Sequence, residues 1–396
     1  MRISVRQGDS LWYYSQLFNV PLSLIIASNP SVSPAQLYIG QQLDIPGYVT
    51  QSYTIQANDT LWTIAQNTNI PVDSLFLLNP AVQASYLQIG QQILIPVRVT
   101  NLIVTDINQY TYEKMIKDIN QLISIYPFIR RRSIGNSVLN KDLVELEIGN
   151  GQSIRNINGS FHANEWITTP VIMRFINQYA LALTNYQPIR GLNLLPFFDT
   201  VRLSFVPMVN PDGVNLVLNG AEAAGNLREN VLQINGQNAD FSNWKANING
   251  VDLNNQYPAL WETEAARKPT SPSPRDFPGY QPLTEPEAIA MAQLAGERNF
   301  DIMNAFHTQG EVIFWGFEGL EPPESETIVN EYQRVSGYLP VQYVDSYAGY
   351  KDWFIQQFRK PGFTVELGEG TNPLPIGQFN EIYEETLGIM LATLYL

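Results

Sequence analysis

The sequence predicts an α/β protein: a large domain built on a sheet covered by helices on both faces, preceded by two small strand–helix–helix–strand units. Two observations carry that expectation. A segment near the amino end repeats itself at a constant offset, and strand and helix patterns then alternate through residues 99–396. At 396 residues and 44% hydrophobic, the chain is long enough for more than one domain and apolar enough to bury a large core.

The composition narrows the chemistry before any motif is read. There is no cysteine, which excludes disulfides, thiolate metal sites, iron–sulfur clusters and cysteine nucleophiles. The only histidines are His162 and His307, so histidine-dependent chemistry must use one or both. A net charge of −14 speaks against a nucleic-acid partner, because phosphate backbones are gripped by clustered cations. No stretch reaches the roughly 18 apolar residues of a membrane span. The opening Met1-Arg2-Ile3-Ser4-Val5-Arg6-Gln7-Gly8-Asp9 lacks the apolar core and cleavage site of a signal peptide, which predicts a bacterial cytoplasmic chain.

The repeat is specific. Asp9-Ser10-Leu11-Trp12 returns as Asp59-Thr60-Leu61-Trp62, Asn29-Pro30 as Asn79-Pro80, Ile39-Gly40-Gln41-Gln42 as Ile89-Gly90-Gln91-Gln92, and Ile45-Pro46 as Ile95-Pro96, always 50 positions later. In the second unit Ser52–Ile55 alternates as a strand, and Asp59 and Thr60 are helix-capping residues. Leu61, Ile64 and Ala65 follow at helical spacing, Pro71–Leu78 makes a second short helix, and Ile93–Pro96 closes as a strand. Leu11, Trp12, Leu61 and Trp62 are expected to be mostly core.

This pattern resembles the LysM module, over residues 2–47 and 51–97, with units bounded at 1–48 and 49–98. The resemblance implies a βααβ fold that binds the N-acetylglucosamine of peptidoglycan or chitin. It places the glycan at Gly8, Asp9 and Ser10 with the loop 30–37, and at Asn58, Asp59 and Thr60 with the loop 80–87. Residues 1–100 carry only Arg2, Arg6 and Arg98 against Asp9, Asp44, Asp59 and Asp73, so the repeats are nearly neutral and do not form an electrostatic anchor.

In the large domain, 99–396, the helical stretches are Tyr112–Ile125, Ile167–Leu183, Glu285–Arg298 and Glu381–Leu396. The strands are Leu143–Ile148, Val201–Pro207, Asp301–Phe306 and Gly362–Leu367. Lys268–Pro274 reads as a surface loop. Within this frame, His162-Ala163-Asn164-Glu165 sets an imidazole and a carboxylate two residues apart on a turn entering a helix, a spacing that can serve one metal ion. His307 ends an apolar strand, where ligand-binding residues of open α/β sheets collect. Two histidines and one glutamate form a catalytic zinc set with a position left for water.

Together with Asn210-Pro211-Asp212-Gly213, Gly250-Val251-Asp252-Leu253-Asn254, Asp352-Trp353 and Phe363-Thr364-Val365-Glu366-Leu367, this order of motifs resembles the zinc carboxypeptidases. The resemblance implies a mixed eight-stranded sheet, one zinc ion held by His162, Glu165 and His307, and Glu366 as general base and later proton donor. Flanked by Val365 and Leu367, Glu366 is expected to be partly desolvated, with a raised proton affinity.

The departures speak to substrate. Asn255 follows Asn254 where relatives carry the arginine that grips a terminal carboxylate, and asparagine offers no charged fork. Lys245 stands where relatives have an oxyanion-stabilising arginine, and supplies a point charge instead. The tyrosine that lies over the substrate falls at Tyr343 or Tyr347. Loss of the carboxylate clamp beside two wall-binding modules points to the cell-wall branch, the γ-D-glutamyl-meso-diaminopimelate peptidases of spore-forming bacteria. That implies peptidoglycan stem peptides as substrate, and a sporulating cell or its spore as setting. The other readings are a glycan-binding wall or coat protein with an inactive peptidase domain, and a hydrolase for another γ-glutamyl amide.

Overall fold

Each repeat folds around its buried aliphatic positions. The computed structural model describes residues 1–396. The first module comprises β1 (Arg2–Ser4), α1 (Leu11–Phe18), α2 (Leu22–Ser28) and β2 (Gln42–Asp44). The second comprises β3 (Tyr48–Thr54), α3 (Leu61–Thr68), α4 (Val72–Leu78) and β4 (Gln92–Arg98). Strands pair antiparallel within each module, Ile3 opposite Leu43 and Tyr53 opposite Ile93. Ser10 and Thr60 cap the first helices by accepting from Tyr13 N and Thr63 N, which satisfies amides that a helix start leaves open.

The repeated asparagine explains its own recurrence. Asn29 Nδ2 donates to Ile25 O and Asp44 O while its Oδ1 accepts from Asp44 N, each at 2.8 Å. Asn79 does the same with Leu75 and Leu94. One buried side chain thereby stitches the second helix to the closing strand. Leu11 and Leu61 are buried as expected. Trp12 and Trp62 correct the expectation, being 63% and 62% exposed. A helix turns about 100° per residue, so the position after a core leucine rotates away from the core.

Contacts divide the chain into two compact units: Met1–Ile103 with Asp118–Arg130 and Asn177–Asp199, and Val104–Lys117 with Arg131–Ile176 and Thr200–Leu396. Within the first, Arg6 bonds Asp9 of its own module at 2.9 Å and Asp73 of the second at 2.5 Å. Tyr13 donates to Asp73 and Tyr14 to Asp9. Gly47 donates to Ile125 O at 2.8 Å, and a Cβ there would lie 2.8 Å from Thr184 Cβ, so this junction requires glycine.

The second unit is built on the mixed eight-stranded sheet, with helices on its faces. Its strands are β5 (Arg130–Asn136), β6 (Asp142–Ile148), β7 (Ser153–Gly159), β8 (Val201–Val206), β9 (Ile302–His307), β10 (Val312–Phe314), β11 (Leu339–Val341) and β12 (Gly362–Glu366). They lie in the order β11-β10-β12-β9-β7-β8-β6-β5. The central strands β12, β9, β7 and β8 run parallel, so their carboxyl ends share one edge of the sheet. That edge carries His307 and Glu366 as terminal strand residues, and His162 lies three residues beyond Gly159. Helices α5 (Tyr112–Ile125) and α6 (Thr168–Asn185) match their sequence patterns closely. No helix is long and apolar enough to cross a membrane.

Candidate metal centre

One hydroxyl bridges the two ends of the turn carrying His162 and Glu165. Thr168 Oγ1 accepts from Ser160 N at 2.8 Å and donates to Glu165 O at 2.9 Å, tying the end of β7 to the start of α6. Residues Ala163–Glu165 form a 3-10 turn between them. A side chain at Gly159 would meet Thr168 Oγ1 at 2.9 Å, which keeps that approach open only to glycine.

His162, Glu165 and His307 converge. His162 Nδ1 lies 2.8 Å from Glu165 Oε1, His307 Nδ1 lies 2.9 Å from Glu165 Oε2, and the two Nδ1 atoms are 3.1 Å apart. All three residues are buried, and their ligand atoms lie within 4.8 Å of one another. Nε2 of His162 donates to Asp252 Oδ1 at 3.1 Å, which fixes the tautomer and turns the Nδ1 lone pair inward. Two ring lone pairs and a carboxylate facing one point demand a positive charge between them, and a single shared proton cannot satisfy all three. Burial alone would depress His162, but Glu165 and Asp252 together lift its proton affinity to about 9. The donor set, two neutral nitrogens and one carboxylate, fits a zinc ion. Such an ion supplies Lewis acidity to a water and to the carbonyl under attack.

The surrounding residues hold that geometry. Thr308 N donates to Glu165 Oε2 at 3.3 Å, and Asn372 Nδ2 reaches Glu165 Oε1 at 3.4 Å and Thr308 O at 2.8 Å. Thr308 Oγ1 donates back to Asn372 Oδ1 at 2.6 Å, closing the bracket. Lys245 Nζ lies 2.9 Å from Asp252 Oδ2 and 3.2 Å from Asp276 Oδ1. Burial opposes its charge, yet these carboxylates raise its affinity for the proton above the ordinary lysine value. Lys245 is therefore a fixed cation bonded to the carboxylate that holds His162.

Glu366 ends β12 opposite His307 in the parallel ladder. Burial, then the charge of Glu165, lifts its carboxyl to about 8, as its apolar neighbours led us to expect. A carboxylate of raised basicity beside the centre can take a proton from water and return it to a leaving amine.

The residues predicted for substrate are placed as follows. Asn254 Oδ1 accepts from Tyr350 N at 3.0 Å. Asn255 is buried, its Nδ2 donating to Tyr347 O at 3.3 Å while its Oδ1 has no protein partner. Tyr347 packs edge-on against Phe317 with Arg267 over its ring. Tyr343 is largely exposed and donates to Glu321 Oε1 at 2.8 Å. In the modules, Gly8 and Asn58 take left-handed backbone conformations. Asp9 and Asp59 accept bonds from neighbouring groups, and Ser10 and Thr60 serve as caps. Asp276 and Asn372 escaped sequence reading, since neither stands in a recognisable motif. Asp252 stood within one, but nothing in its spacing revealed its bond to His162.

The LysM domain matches residues 3–46 and 53–96, and the zinc carboxypeptidase family matches residues 115–388. Gamma-D-glutamyl-L-diamino acid endopeptidase 1 of Lysinibacillus sphaericus is 62% identical over 396 residues, covering all of both chains. Among solved structures, bovine thrombin-activatable fibrinolysis inhibitor aligns with a TM-score of 0.56 at 18% identity, covering 72% of this chain and 96% of that one. Carboxypeptidase A from Helicoverpa armigera aligns with a TM-score of 0.53 at 17% identity, covering 88% and 98%. These two share the fold. With its metal-ligand triad, its eight-stranded sheet and the match across most of its length, the chain belongs to the zinc carboxypeptidase family and carries two LysM domains ahead of the peptidase domain.

Proposed function

We propose that this protein is a zinc-dependent endopeptidase that cleaves the bond between γ-D-glutamate and an L-diamino acid in peptidoglycan stem peptides, with its LysM domains holding the wall glycan. The observation that carries the reading is the buried meeting of His162, Glu165 and His307 beside Glu366, in a chain that matches the Lysinibacillus sphaericus endopeptidase from end to end. One zinc ion at the triad provides the Lewis acid. Glu366 relays the proton from water to the departing diamino-acid amine, and Lys245 faces the developing oxyanion. Asn255, neutral where a carboxypeptidase needs a charged clamp, suits a substrate whose chain continues beyond the cleaved bond. The complete set of ligands and base speaks against an inactive glycan-binding scaffold.

The test uses purified protein, with and without chelator, on L-Ala-γ-D-Glu-meso-diaminopimelate, with products identified by mass. Release of L-Ala-γ-D-Glu that stops on chelation and returns with zinc is expected. Metal-loaded protein that releases none overturns the assignment. For the modules, the full chain should sediment with insoluble peptidoglycan and be displaced by soluble N-acetylglucosamine oligomers.

A further inference from the structure

At the edge of the sheet opposite the metal centre, the second unit holds a cavity of about 430 Å³. It lies where the parallel strands β7 and β9 begin, with Ser153, Arg155 and Ile302 in its wall. The metal centre stands where the same strands end, since His307 closes β9 and His162 follows β7. Ile302 and His307 are the two ends of β9, about 16 Å apart at the rise of a strand, so the two places do not share a ligand.

Arg155 is the one arginine that the fold buries, at 9% exposed. Its Nη1 donates to Thr393 O on the helix Phe379–Tyr395 at 2.5 Å, and its Nε to Ser153 Oγ at 3.4 Å. A guanidinium has five N–H donors, so three stand without a protein partner. No carboxylate pairs with it. Asp301, in the same wall, accepts from Lys360 Nζ at 3.0 Å and from Ser153 Oγ at 2.9 Å. Lys360 thus balances Asp301, and Arg155 remains as a net positive charge. Burial lowers its proton affinity, which Tyr332 and Asp301 offset only in part. Glu324 also lines the cavity but is exposed, where water weakens its pull on charges within. A buried charge left unpaired is strongly unfavourable, so folds supply a counterion. For Arg155 the chain supplies none, and the guanidinium lines open volume instead.

We propose that this cavity binds a small aliphatic carboxylate, with its oxygens on the free donors of Arg155 and its hydrocarbon against Ile302, Ile328, Pro361 and Leu396. A guanidinium presents parallel N–H groups that match the two oxygens of a carboxylate. The four apolar side chains carry the site beyond the charge, so affinity grows with the length of the ligand.

The test titrates the full chain by calorimetry with acetate, butyrate and hexanoate, and with hexanamide and inorganic phosphate as controls. Each added methylene should tighten binding by up to about fourfold. Hexanamide, of the same length without the charge, should bind roughly ten- to a hundredfold more weakly than hexanoate. Arg155→Met should weaken hexanoate by a similar factor and leave hexanamide unchanged. Thr327→Trp, which fills the cavity from an exposed wall position, should exclude both. Zinc-loaded and chelator-stripped protein should bind hexanoate alike. Hexanoate no tighter than hexanamide overturns the proposal, as does phosphate binding as tightly as hexanoate. Binding that survives Arg155→Met, or that is lost when zinc is stripped, places the carboxylate elsewhere and overturns it too. Should Arg155→Met fail to fold, the hexanoate-to-hexanamide ratio and Thr327→Trp decide the matter.

Discussion

His307 and Glu366 are register partners on the adjacent parallel strands β9 and β12, and Leu367 N donates to His307 O at 2.9 Å just beyond them. One ladder therefore carries a residue of the candidate metal triad and the carboxylate proposed for proton transfer side by side. Their separation is set by backbone hydrogen bonds, which are harder to disturb than side-chain rotamers. A one-residue slip of β12 would send Glu366 to the other face of the sheet and abolish the pairing.

Glu366→Gln should keep the fold and the bound zinc while kcat falls by roughly 10²- to 10⁴-fold. Rates with parallel metal analysis check this, and a loss below tenfold would remove Glu366 from proton transfer. The base works deprotonated, so activity disappears as pH falls through its pKa. Its carboxyl stands at about 8 even with the positive charges of His162 and Lys245 pulling it down, and a metal ion held by the triad would lower it further. The acid limb of kcat/KM in the zinc enzyme is therefore expected below pH 8.

Asp252→Asn should weaken zinc binding by about ten- to a hundredfold, the usual cost of losing a carboxylate partner to a metal-bound histidine. Competition with a chromogenic chelator measures it. The variant also leaves Lys245 with Asp276 alone, so activity at saturating zinc should fall further than zinc content. Unchanged affinity would mean that the 3.1 Å contact with His162 does not orient the ring.

Away from the centre, burial lifts the Glu287 carboxyl to about 7, despite a hydrogen bond from Val138 N at 3.1 Å. A carboxyl with a raised folded pKa favours the native state below its unfolded pKa, and that contribution is lost as pH climbs through 7. Urea unfolding should show up to about 3 kcal/mol of such loss between roughly pH 5 and pH 8. Glu287→Gln should flatten the profile. An unflattened profile would show that Glu287 ionises freely.

The two faces of α3 separate cleanly by substitution. Leu61→Ala removes a buried side chain and should cost about 2–5 kcal/mol. Trp62→Ala removes an exposed one and should stay within about 0.5 kcal/mol. A large loss at Trp62, followed by thermal unfolding of the full chain, would contradict its exposure.

Much of this molecule was legible from the residues, for reasons that differ by element. The modules declared themselves because a tandem copy doubles every signal. The metal ligands stood out because only two histidines exist and each sat in a telling position. Strands such as β9 were visible as apolar runs. By contrast β7 escaped, because Arg155, Asn156 and Asn158 are buried polar residues that interrupt its apolar pattern. Asn156 Nδ2 bonds Ser204 O at 3.1 Å, and pairing of that kind becomes visible only once strands are neighbours. Trp12 and Trp62 misled because size and apolarity argue for burial, whereas rotation along the helix decides it. Asn372 entered the bracket around Glu165 from a loop 207 residues away, a juxtaposition that no local pattern announces.

The link between the repeats has a direction. Arg6 ties Asp9 to Asp73, yet the copy holds Gln56 where Arg6 would recur and the first module holds Ser23 where Asp73 would stand. Duplication made the halves alike, and later divergence made them complementary. A permuted chain with the modules in reverse order would keep both small cores and lose the clasp, leaving two beads on a string.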